Sequence, residues 1–418
     1  MKIPSLRRNI AAMTIVQAMS YILPLVTLPY LTRTLGLEAF GQIIFVQLIL
    51  QYFILITDWG FLWSATKEIA LVRHQPEVLS KLFISTWLAQ WLLLLMSAIM
   101  LFILVVIIPA LHEHAIIYWV GFSLVVGNVL FPIWLLQGLE CLERLAKIQL
   151  ITRPLVIPLI FLCVNKPEDS VWAIAVLGGV SILTGLLTQI WIWRYSGITW
   201  HPVSIYEIFG VLRNGFGLFF SKIWISLYTT LIPLVLGSIA GHSAVAIYSL
   251  ADKFKSAAQS FLSPISQALF PRMSHLYKHD YAAAYQLLIK SGVIILSLSI
   301  AASLALFFAA DWIIYLFGGD EFKASVEVLR WLSLLPCIVA CSNLLGVQVM
   351  LPANKIRAFN VILVVAGGIS LLLMYPLILS KGAVGAAINS LITELFFSVS
   401  IVFYVLRMKK HKTYKEAL

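Results

Sequence analysis

The sequence predicts an all-α integral membrane protein with about twelve transmembrane helices, and its composition is the first reason. Apolar residues make up 61% of the 418 residues and charged residues only 11%, whereas charged residues make up about 25% of ordinary soluble domains. The second reason is that apolar blocks of about 20 residues, the length a helix needs to cross a bilayer, recur along the whole chain. Because only an internally hydrogen-bonded segment crosses hydrocarbon without leaving backbone polar groups unpaired, each block is predicted to be a helix.

The first half of the chain contains six such blocks. The first block follows Lys2, Arg7 and Arg8, but it is about 22 residues long and lacks a convincing small-x-small cleavage site, so it is expected to remain as a span. The predicted spans of this half are 10–31, 40–56, 82–108, 116–137, 150–164 and 171–193.

The second half contains six more blocks and leaves no stretch for a soluble domain. Its predicted spans are 211–236, 244–270, 287–308, 328–351, 359–379 and 383–406. The sequence therefore predicts two six-helix lobes, residues 1–200 and 201–418.

The two predicted lobes resemble each other in outline, which suggests a pseudo-twofold repeat. Each opens with two spans joined by a short turn, which contains Gly36 in the first lobe and Gly241 in the second. Secondary transporters often have such internal symmetry, with the substrate site where the repeats meet. The longest cytoplasmic loops are expected at 63–81 and 272–285.

The net charge of +11 is interpreted from the positions of the charges. With the N-terminus inside, basic residues concentrate in cytoplasmic segments, as the positive-inside rule requires. That tally counts Arg153, Lys253 and Lys255 as cytoplasmic, and leaves only Arg33, Lys166, Lys323, Arg330 and Lys381 on the opposite side. The charges thus predict a multi-pass membrane protein with both termini cytoplasmic, and give no reason to expect a nucleic-acid partner.

Enzyme and cofactor motifs give no support for catalysis. The four cysteines lack metal-ligand spacing, and Cys337 and Cys341, one helical turn apart, are interpreted as small apolar side chains in a helix interface. A phosphate-binding G-x-x-x-x-G-K-[ST] loop does not occur. The GGDEF string at 318–322 is predicted to be a short turn between spans. No metal or cofactor is expected.

Lys222 is the first informative polar residue, because ionisable side chains at bilayer depth are costly and usually face a cavity or a partner. It lies about twelve residues into the seventh predicted span, which places it near the middle of the bilayer. At helical spacing it shares a face with Ser226 and Thr229. The other face, which is expected to pack, carries Phe216, Phe220, Trp224 and Tyr228.

The eighth predicted span carries a polar stripe at helical spacing. The stripe consists of Asp252, Lys255, Ser256, Gln259, Ser260, Ser263, Ser266 and Gln267, with Lys253 beside it. A water-filled cavity is one interpretation. The alternatives are that polar side chains join helices without lining a cavity, and that Asp252 and Lys255, at i and i+3, neutralise each other.

Other predicted spans also carry polar residues within an otherwise apolar helix. Gln47, Gln51 and Asp58 share one line on the second span, and Ser20 belongs to a polar patch on the first. Glu394 is a lone acid about eleven residues into the last span. Asp58 and Glu394 either serve transport or pair with basic residues that the sequence does not locate.

These residues predict a transporter for an anionic cargo, because a cation in a poorly screened cavity attracts phosphate. The candidate substrate-binding residues are Lys222, Lys255, Arg153, Arg213 and Lys253. The candidates for ion coupling are Asp252, Glu394 and Asp58. The candidate cavity-lining residues are Gln47, Gln51, Ser256, Gln259 and Ser263.

Three other functions are weighed against this hypothesis. A small-molecule antiporter that exports cationic drugs would need acids to dominate the middle of the membrane. An integral-membrane glycosyltransferase or polymerase would need clustered acids or a large catalytic loop. A scaffold for polysaccharide assembly would not need a buried polar stripe.

Several motifs, in order along most of the chain, resemble the polysaccharide transporter family, the Wzx-type O-antigen flippases. They are DWGF at 58–61, ATKEIA at 65–70, PIWLLQGLE at 132–140, YSLADKF at 248–254, FPRMS at 270–274, LFG at 316–318 and EF at 321–322. The resemblance implies the two-lobed, twelve-helix fold of the MOP exporter superfamily, similar to MATE transporters, with a cationic vestibule. It also implies, as cargo, an undecaprenyl-pyrophosphate-linked oligosaccharide that moves from the cytoplasmic to the periplasmic leaflet. A polysaccharide polymerase and a chain-length regulator would be its partners.

Overall fold

The computed structural model describes the backbone of residues 6–416 and the side chains from Met19 to Met408. Within that range it leaves out the side chains of residues 21, 221, 225, 227–229, 261–265, 267, 268, 271, 278 and 281. The predictions for Tyr228, Thr229, Ser263 and Gln267 therefore lie outside the described side chains. The described elements are all helical, so the predicted fold class is confirmed.

The chain divides into two compact units, one ending at Ser226 and the other beginning at Leu227. The helices up to that boundary are α1 (Leu6–Asp58), α2 (Phe61–Val72), α3 (Pro76–Ile107), α4 (Pro109–His112), α5 (Ala115–Gly121), α6 (Ser123–Leu130), α7 (Ile133–Gly138), α8 (Leu142–Thr152), α9 (Val156–Cys163), α10 (Ser170–Tyr195) and α11 (Ile205–Thr229). Short 3₁₀ turns at Arg153–Leu155 and Pro167–Asp169 join α8 to α9 and precede α10. The lobe boundary between residues 200 and 201 stays a prediction, and most of α11 belongs to the first unit.

The second unit contains six helices. They are α12 (Leu231–His279), α13 (Tyr281–Phe308), α14 (Ala310–Gly318), α15 (Ser325–Leu332), α16 (Leu335–Leu345) and α17 (Ile356–Glu416). A π-helical turn at Gly346–Met350 follows α16. The GGDEF string is a turn, as predicted, because α14 ends at Gly318 and a 3₁₀ turn spans Asp320–Phe322.

Two glycines break long helices at equivalent places in the two units. Gly36 interrupts α1 with φ 71° and ψ −177°, and Gly241 interrupts α12 with φ 82° and ψ 175°. A side chain disfavours this backbone region, whereas glycine enters it freely. The two turns predicted from the sequence are therefore present, and their nearly identical dihedral angles support an internal repeat.

Two long broken helices account for most of the difference between the twelve predicted spans and the nine candidate spans found in the described residues. In the described part of the chain, nine stretches are long and apolar enough to cross a bilayer. Ile22–Val72 has 51 residues and Ile356–Met408 has 53, about twice the length that one span needs. Gly36 divides the first of these stretches, and Gly382, with φ 53°, divides the second.

The connecting segments predicted as the longest loops are mostly helical, which corrects the sequence analysis. Helix α2 covers much of 63–81, and 272–285 is shared between α12 and α13. In α2 the buried residues Phe61, Ala65 and Ile69 recur every four positions. The charged residues between them lower the hydropathy of the segment but leave its helical period intact.

The core of the first unit fixes the end of α1. Trp134, which is 2% exposed, donates its indole N–H to Gln90 Oε1 at 3.1 Å. Gln90 Nε2 in turn donates to the carbonyl oxygen of Thr57 at 3.3 Å. Since Thr57 directly precedes Asp58, this buried chain of hydrogen bonds positions the first polar residue of the candidate site.

Candidate functional site

A sharp corner at Trp59 and Gly60 separates α1 from α2. Trp59 has φ 40° and Gly60 has φ 78°, so the chain turns abruptly just after Asp58. The Trp59 indole donates Nε1–H to the carbonyl oxygen of Leu212 at 2.7 Å. Its ring stacks on Phe219 with centroids 4.0 Å apart. Both partners belong to α11, so the corner holds that helix against the end of α1.

Two glycines allow α11 to approach the corner closely. A Cβ atom on Gly60 would lie 2.8 Å from Leu218 Cβ, and one on Gly215 would lie 2.5 Å from the Trp59 carbonyl oxygen. Any side chain at either position would push the two elements apart. The contact places the following two turns of α11, which include Lys222, beside Asp58.

Asp58 and Lys222 form an ion pair in the first unit. Lys222 Nζ lies 3.7 Å from Asp58 Oδ2, and Asn128 Nδ2 donates to Asp58 Oδ1 at 3.2 Å. The sequence did not locate a basic partner for Asp58, and the structure supplies one. It also adds Asn128, which sequence reasoning missed. The sequence feature that could have indicated Asn128 is its amide side chain, which stands alone within the apolar run of α6.

The aromatic face of α11 is exposed, so the prediction that this face packs is wrong. Phe216, Phe220 and Trp224 are 54%, 52% and 40% exposed, whereas the Lys222 side chain is 25% exposed. In a bilayer apolar rings can face acyl chains at no cost, and it is the charged side chain that needs a protein partner.

A second ion pair lies in the second unit, between Asp252 and Lys255. Lys255 Nζ is 2.5 Å from Asp252 Oδ1, and Ser256 Oγ donates to Asp252 Oδ2 at 3.3 Å. The self-neutralising pair that the sequence left open as an alternative is therefore what the structure contains. Glu394 on α17 is close enough to interact electrostatically with Lys255.

A buried contact holds α12 and α17 together next to this pair. The hydroxyl groups of Tyr248 and Ser390 are 3.2 Å apart, one helical turn before Asp252 and Glu394 respectively. Tyr248 is only 4% exposed. Asp252, Lys255 and Glu394 thus belong to one charged cluster, and Lys253 also interacts electrostatically with Asp252.

The rest of the eighth-span stripe divides into two parts. Ser256, Gln259 and Lys253 are half-buried. Further along α12, Ser266 accepts two hydrogen bonds from Gln348 Nε2, at 2.9 Å through its carbonyl oxygen and 3.0 Å through its hydroxyl. Ser266 therefore joins α12 to the turn after α16, as predicted by the alternative in which polar side chains hold helices together.

The remaining candidates of the first unit lie apart from the Asp58 pair. Gln47 is half-buried and Gln51 is exposed, both earlier on α1. Arg213 is exposed on α11, nine residues before Lys222, which is roughly 13 Å along the helix. The structure does not bring Arg213 to the ion pair.

Arg153 occupies a different position from the one the sequence assigned. The tally placed it on the cytoplasmic side because the fifth apolar block begins near residue 150. The helix actually begins at Leu142, and Arg153 lies inside the candidate span Leu142–Cys163. Lys253 and Lys255 likewise lie inside a candidate span, Leu231–Ser260. These three basic residues thus belong to apolar helices and do not report topology.

The described residues provide no group of three or more His, Cys, Asp and Glu side chains that could hold a metal ion. Their polar groups are suited to binding and releasing charged ligands. A pair such as Lys222 with Asp58 is neutral as a whole, and an anion can take the place of the carboxylate while the carboxylate accepts a cation.

Solved structures of membrane transporters share this fold. An inward-facing multidrug resistance MATE family transporter of the MOP superfamily has a TM-score of 0.73 at 14% identity, covering 96% of this chain and 99% of its own. The lipid II flippase MurJ in an inward closed conformation also has a TM-score of 0.73 at 14% identity, covering 94% and 87%. These similarities show that the chain has the same multi-pass membrane fold as these proteins.

Sequence comparison identifies the family. The family model described as polysaccharide biosynthesis protein matches residues 6–277, and the MatE model matches residues 218–375. A protein of Escherichia coli (strain K12) named "Putative O-antigen transporter" is 33% identical over 401 residues, which are 96% of this chain and 97% of the relative. A Shigella dysenteriae protein of the same name is 28% identical over 97% of this chain and all of its own length. The chain belongs to the polysaccharide biosynthesis protein family, which confirms the resemblance found in its motifs.

Proposed function

We propose that this transporter moves an undecaprenyl-pyrophosphate-linked oligosaccharide, the repeat unit of an O-antigen or a related surface polysaccharide, from the cytoplasmic to the periplasmic leaflet. It acts in the bacterial inner membrane with both termini in the cytoplasm. The two relatives named as O-antigen transporters and the similarity of the fold to a lipid II flippase support this cargo.

The observation that carries the proposal is a basic residue paired with an acid inside the apolar helices of each unit. Lys222 is held by Asp58 and Lys255 by Asp252. Pairing lowers the cost of placing each charge in the membrane, and it leaves a bond that a phosphate group can exchange. In an alternating-access cycle the pyrophosphate displaces a carboxylate from its lysine, and the pair reforms when the cargo leaves.

The released carboxylates give the cycle a means of ion coupling. Asp252 interacts electrostatically with both Lys253 and Lys255, and Glu394 interacts with Lys255, so displacement of Lys255 by the cargo would release a carboxylate. We propose that Asp252, Glu394 or Asp58 takes up a proton or a metal cation during the return step. In proteoliposomes, an imposed ion gradient should speed cargo translocation by the parent protein and have less effect on Glu394→Gln.

Complementation in a strain that lacks its own O-antigen transporter tests the proposed cargo. Lys222→Ala and Lys255→Ala should each reduce the surface polymer and cause the lipid-linked repeat unit to accumulate. Lys147→Ala is the matched control, because Lys147 is 60% exposed and its one ion pair among the described residues is with Glu143, one turn away on α8. Normal surface polymer from both site variants, at normal protein levels, would contradict the proposed role of the two lysines.

A small-molecule antiporter is the second candidate function, and the MatE match to residues 218–375 favours it. In that case the carboxylates would hold a cationic cargo and the lysines would only neutralise them when the site is empty. Asp252→Asn and Glu394→Gln would then abolish drug efflux, and the surface polymer would not depend on the protein. Measuring drug susceptibility in the same complemented strains separates the two functions.

The same cargo implies partners that consume it. A polysaccharide polymerase and a chain-length regulator would act on the repeat unit after it reaches the periplasmic leaflet. In vivo cross-linking of the complemented strain, with a membrane protein of equal abundance as control, would test their association.

A further inference from the structure

Arg153 differs from the two site lysines because no acid holds it. Among the described residues, no carboxylate lies within 4.0 Å of its guanidinium group, whereas Lys222 and Lys255 each have one. The sequence around it is also free of acids: residues 1–37, 144–167 and 170–206 contain no Asp or Glu. These ranges include the first, fifth and sixth spans, so none of these three spans supplies a carboxylate to Arg153.

The position of Arg153 makes this charge unusual. It lies eleven residues after Leu142 and ten before Cys163, the ends of its candidate span, which is roughly 15 Å from either end. An arginine at that depth is costly and is retained where it meets a partner or a ligand. The side chain is half-buried, so protein covers only part of it.

The α-helix is interrupted at Arg153, and a buried hydrogen bond holds this part of the chain in place. Helix α8 ends at Thr152, the 3₁₀ turn Arg153–Leu155 contains a proline, and α9 continues the span. The hydroxyl groups of the buried residues Thr152 and Thr184 are 2.7 Å apart, which fixes the turn against α10. Broken helices in transporters commonly place polar groups at a substrate site.

The guanidinium group retains donors for a ligand. It donates one hydrogen bond to Ser20 Oγ on α1, but it carries five N–H donors in a planar fork. Such a fork binds two oxygens of a phosphate group at once, which a lysine ammonium cannot do in the same geometry. The Ser20 hydroxyl belongs to the polar patch that the sequence marks on the first span.

We propose that Arg153 is the residue of the first unit that binds phosphate before the Asp58–Lys222 pair opens, and that Ser20 orients its side chain. This inference rests on the proposed function, because the phosphate is that of a polyprenyl pyrophosphate. Lys222 and Lys255 then serve as exchangeable ion pairs, and Arg153 holds the cargo while those pairs open. The cation with no acidic partner accepts the anion first, since no carboxylate has to be displaced.

A binding experiment on the full chain in phosphatidylcholine nanodiscs tests this role. The probe is farnesyl pyrophosphate, a short polyprenyl pyrophosphate, and farnesol is the matched compound without phosphate. The parent protein should bind the pyrophosphate in preference to farnesol. Arg153→Lys should weaken pyrophosphate binding by roughly tenfold, because it keeps the charge but loses the fork, and Arg153→Gln should weaken it further. Lys147→Gln, on α8 just before the turn that contains Arg153, should bind like the parent.

The outcomes separate this inference from the proposed function. If Arg153→Lys and Arg153→Gln bind farnesyl pyrophosphate as the parent does, Arg153 is not the phosphate ligand. The proposed function still stands in that case, provided that the parent protein prefers farnesyl pyrophosphate to farnesol. If the parent shows no preference for pyrophosphate and does not restore surface polymer, the proposed function itself fails. If Arg153→Gln does not yield monodisperse protein, Arg153→Lys, which preserves charge and volume, supplies the comparison.

A phospholipid headgroup is the other source of the same chemistry. Nanodiscs of phosphatidylglycerol in place of phosphatidylcholine should leave the effect of Arg153→Lys on pyrophosphate binding unchanged. If phosphatidylglycerol abolishes binding in the parent, and Arg153→Lys removes that competition, Arg153 is a lipid-headgroup ligand and the assignment to cargo is overturned.

Discussion

Lys222 Nζ lies 3.7 Å from Asp58 Oδ2, and their side chains are 25% and 31% exposed. The pair joins the end of α1 to α11 at the corner formed by Trp59 and Gly60. It is partly open to its surroundings, as the proposed exchange of the carboxylate for a competing anion requires. The same relationship recurs in the second unit between Lys255 and Asp252, where a second acid, Glu394, interacts with the lysine.

The Asp58–Lys222 pair predicts a specific pattern in a double-mutant cycle. Asp58→Asn and Lys222→Gln should each destabilise the protein by about 1–2 kcal/mol, between the values for surface and fully buried pairs, because each leaves one charge unpaired. The double variant, which is neutral at both positions, should recover most of that loss. Thermal unfolding in detergent measures all three. Strictly additive effects would show that the two side chains do not interact.

Asn128 is predicted to position Asp58 for this pair. Asn128→Ala removes the hydrogen bond to Asp58 Oδ1, a bond to a charged group worth about 1.5–3 kcal/mol at most. The amount of surface polymer should fall, and the loss of thermal stability should be smaller than the loss caused by Asp58→Asn. Ser380→Ala is the control, because the hydrogen bonds of that exposed hydroxyl to described residues go to carbonyl oxygens of its own helix. Unchanged surface polymer in Asn128→Ala would count against a positioning role.

The close contact between α11 and the Trp59 corner predicts opposite effects at two glycines of the same helix. Gly215→Ala would place a Cβ atom 2.5 Å from the Trp59 carbonyl oxygen, so it should destabilise the protein and weaken transport. Gly210→Ala meets no atom within 4 Å and should stabilise α11 by up to about 1 kcal/mol, as alanine does in a helix. The midpoint of thermal unfolding and the amount of surface polymer, measured for each variant, test both predictions. Similar behaviour of the two variants would mean that the corner does not restrain α11.

Gln90 should be essential for the position of the end of α1. It accepts from Trp134 Nε1 and donates to the Thr57 carbonyl oxygen. Gln90→Leu leaves both buried groups unpaired, and should cost about 1–2 kcal/mol. Adding Trp134→Phe removes the indole N–H, one of the two buried groups left without a hydrogen bond, and should recover part of the stability. A double variant with no gain over Gln90→Leu would show that the indole hydrogen bond contributes nothing.

Cys141 gives a prediction for pH, because it lies between two candidate spans and is 6% exposed. Burial raises the pKa of its thiol, partly opposed by the charge of Arg144. The thiolate is the reactive form, so at neutral pH less of it is present than in an ordinary cysteine. In a variant with serine at positions 163, 337 and 341, maleimide labelling should be slow at pH 7 and still rise steeply above pH 9. The same chain unfolded in detergent is the control, and should react with the profile of a free thiol.

Several features of this protein follow from local sequence alone. The apolar blocks set the helical class, and Gly36 and Gly241 set the two equivalent turns, because span length and left-handed backbone depend on residues that are neighbours in the chain. The polar stripe around Asp252 and Lys255 was predictable for the same reason. Their ion pair forms between side chains only three residues apart on one helix.

Packing between distant elements decided the rest. Asp58 meets Lys222 and Asn128 only because Trp59 and the two glycines bring α11 to the corner, and no local pattern encodes that contact. The exposed aromatic face of α11 depends on which side of the helix meets protein. The depth of Arg153 depends on where the fifth span begins, and charged residues in α8 hide that start from hydropathy. The sequence by itself determined which segments are apolar helices, since that follows from solvation residue by residue. The tertiary structure decided which charges are neutralised, since an ion pair depends on distance in space.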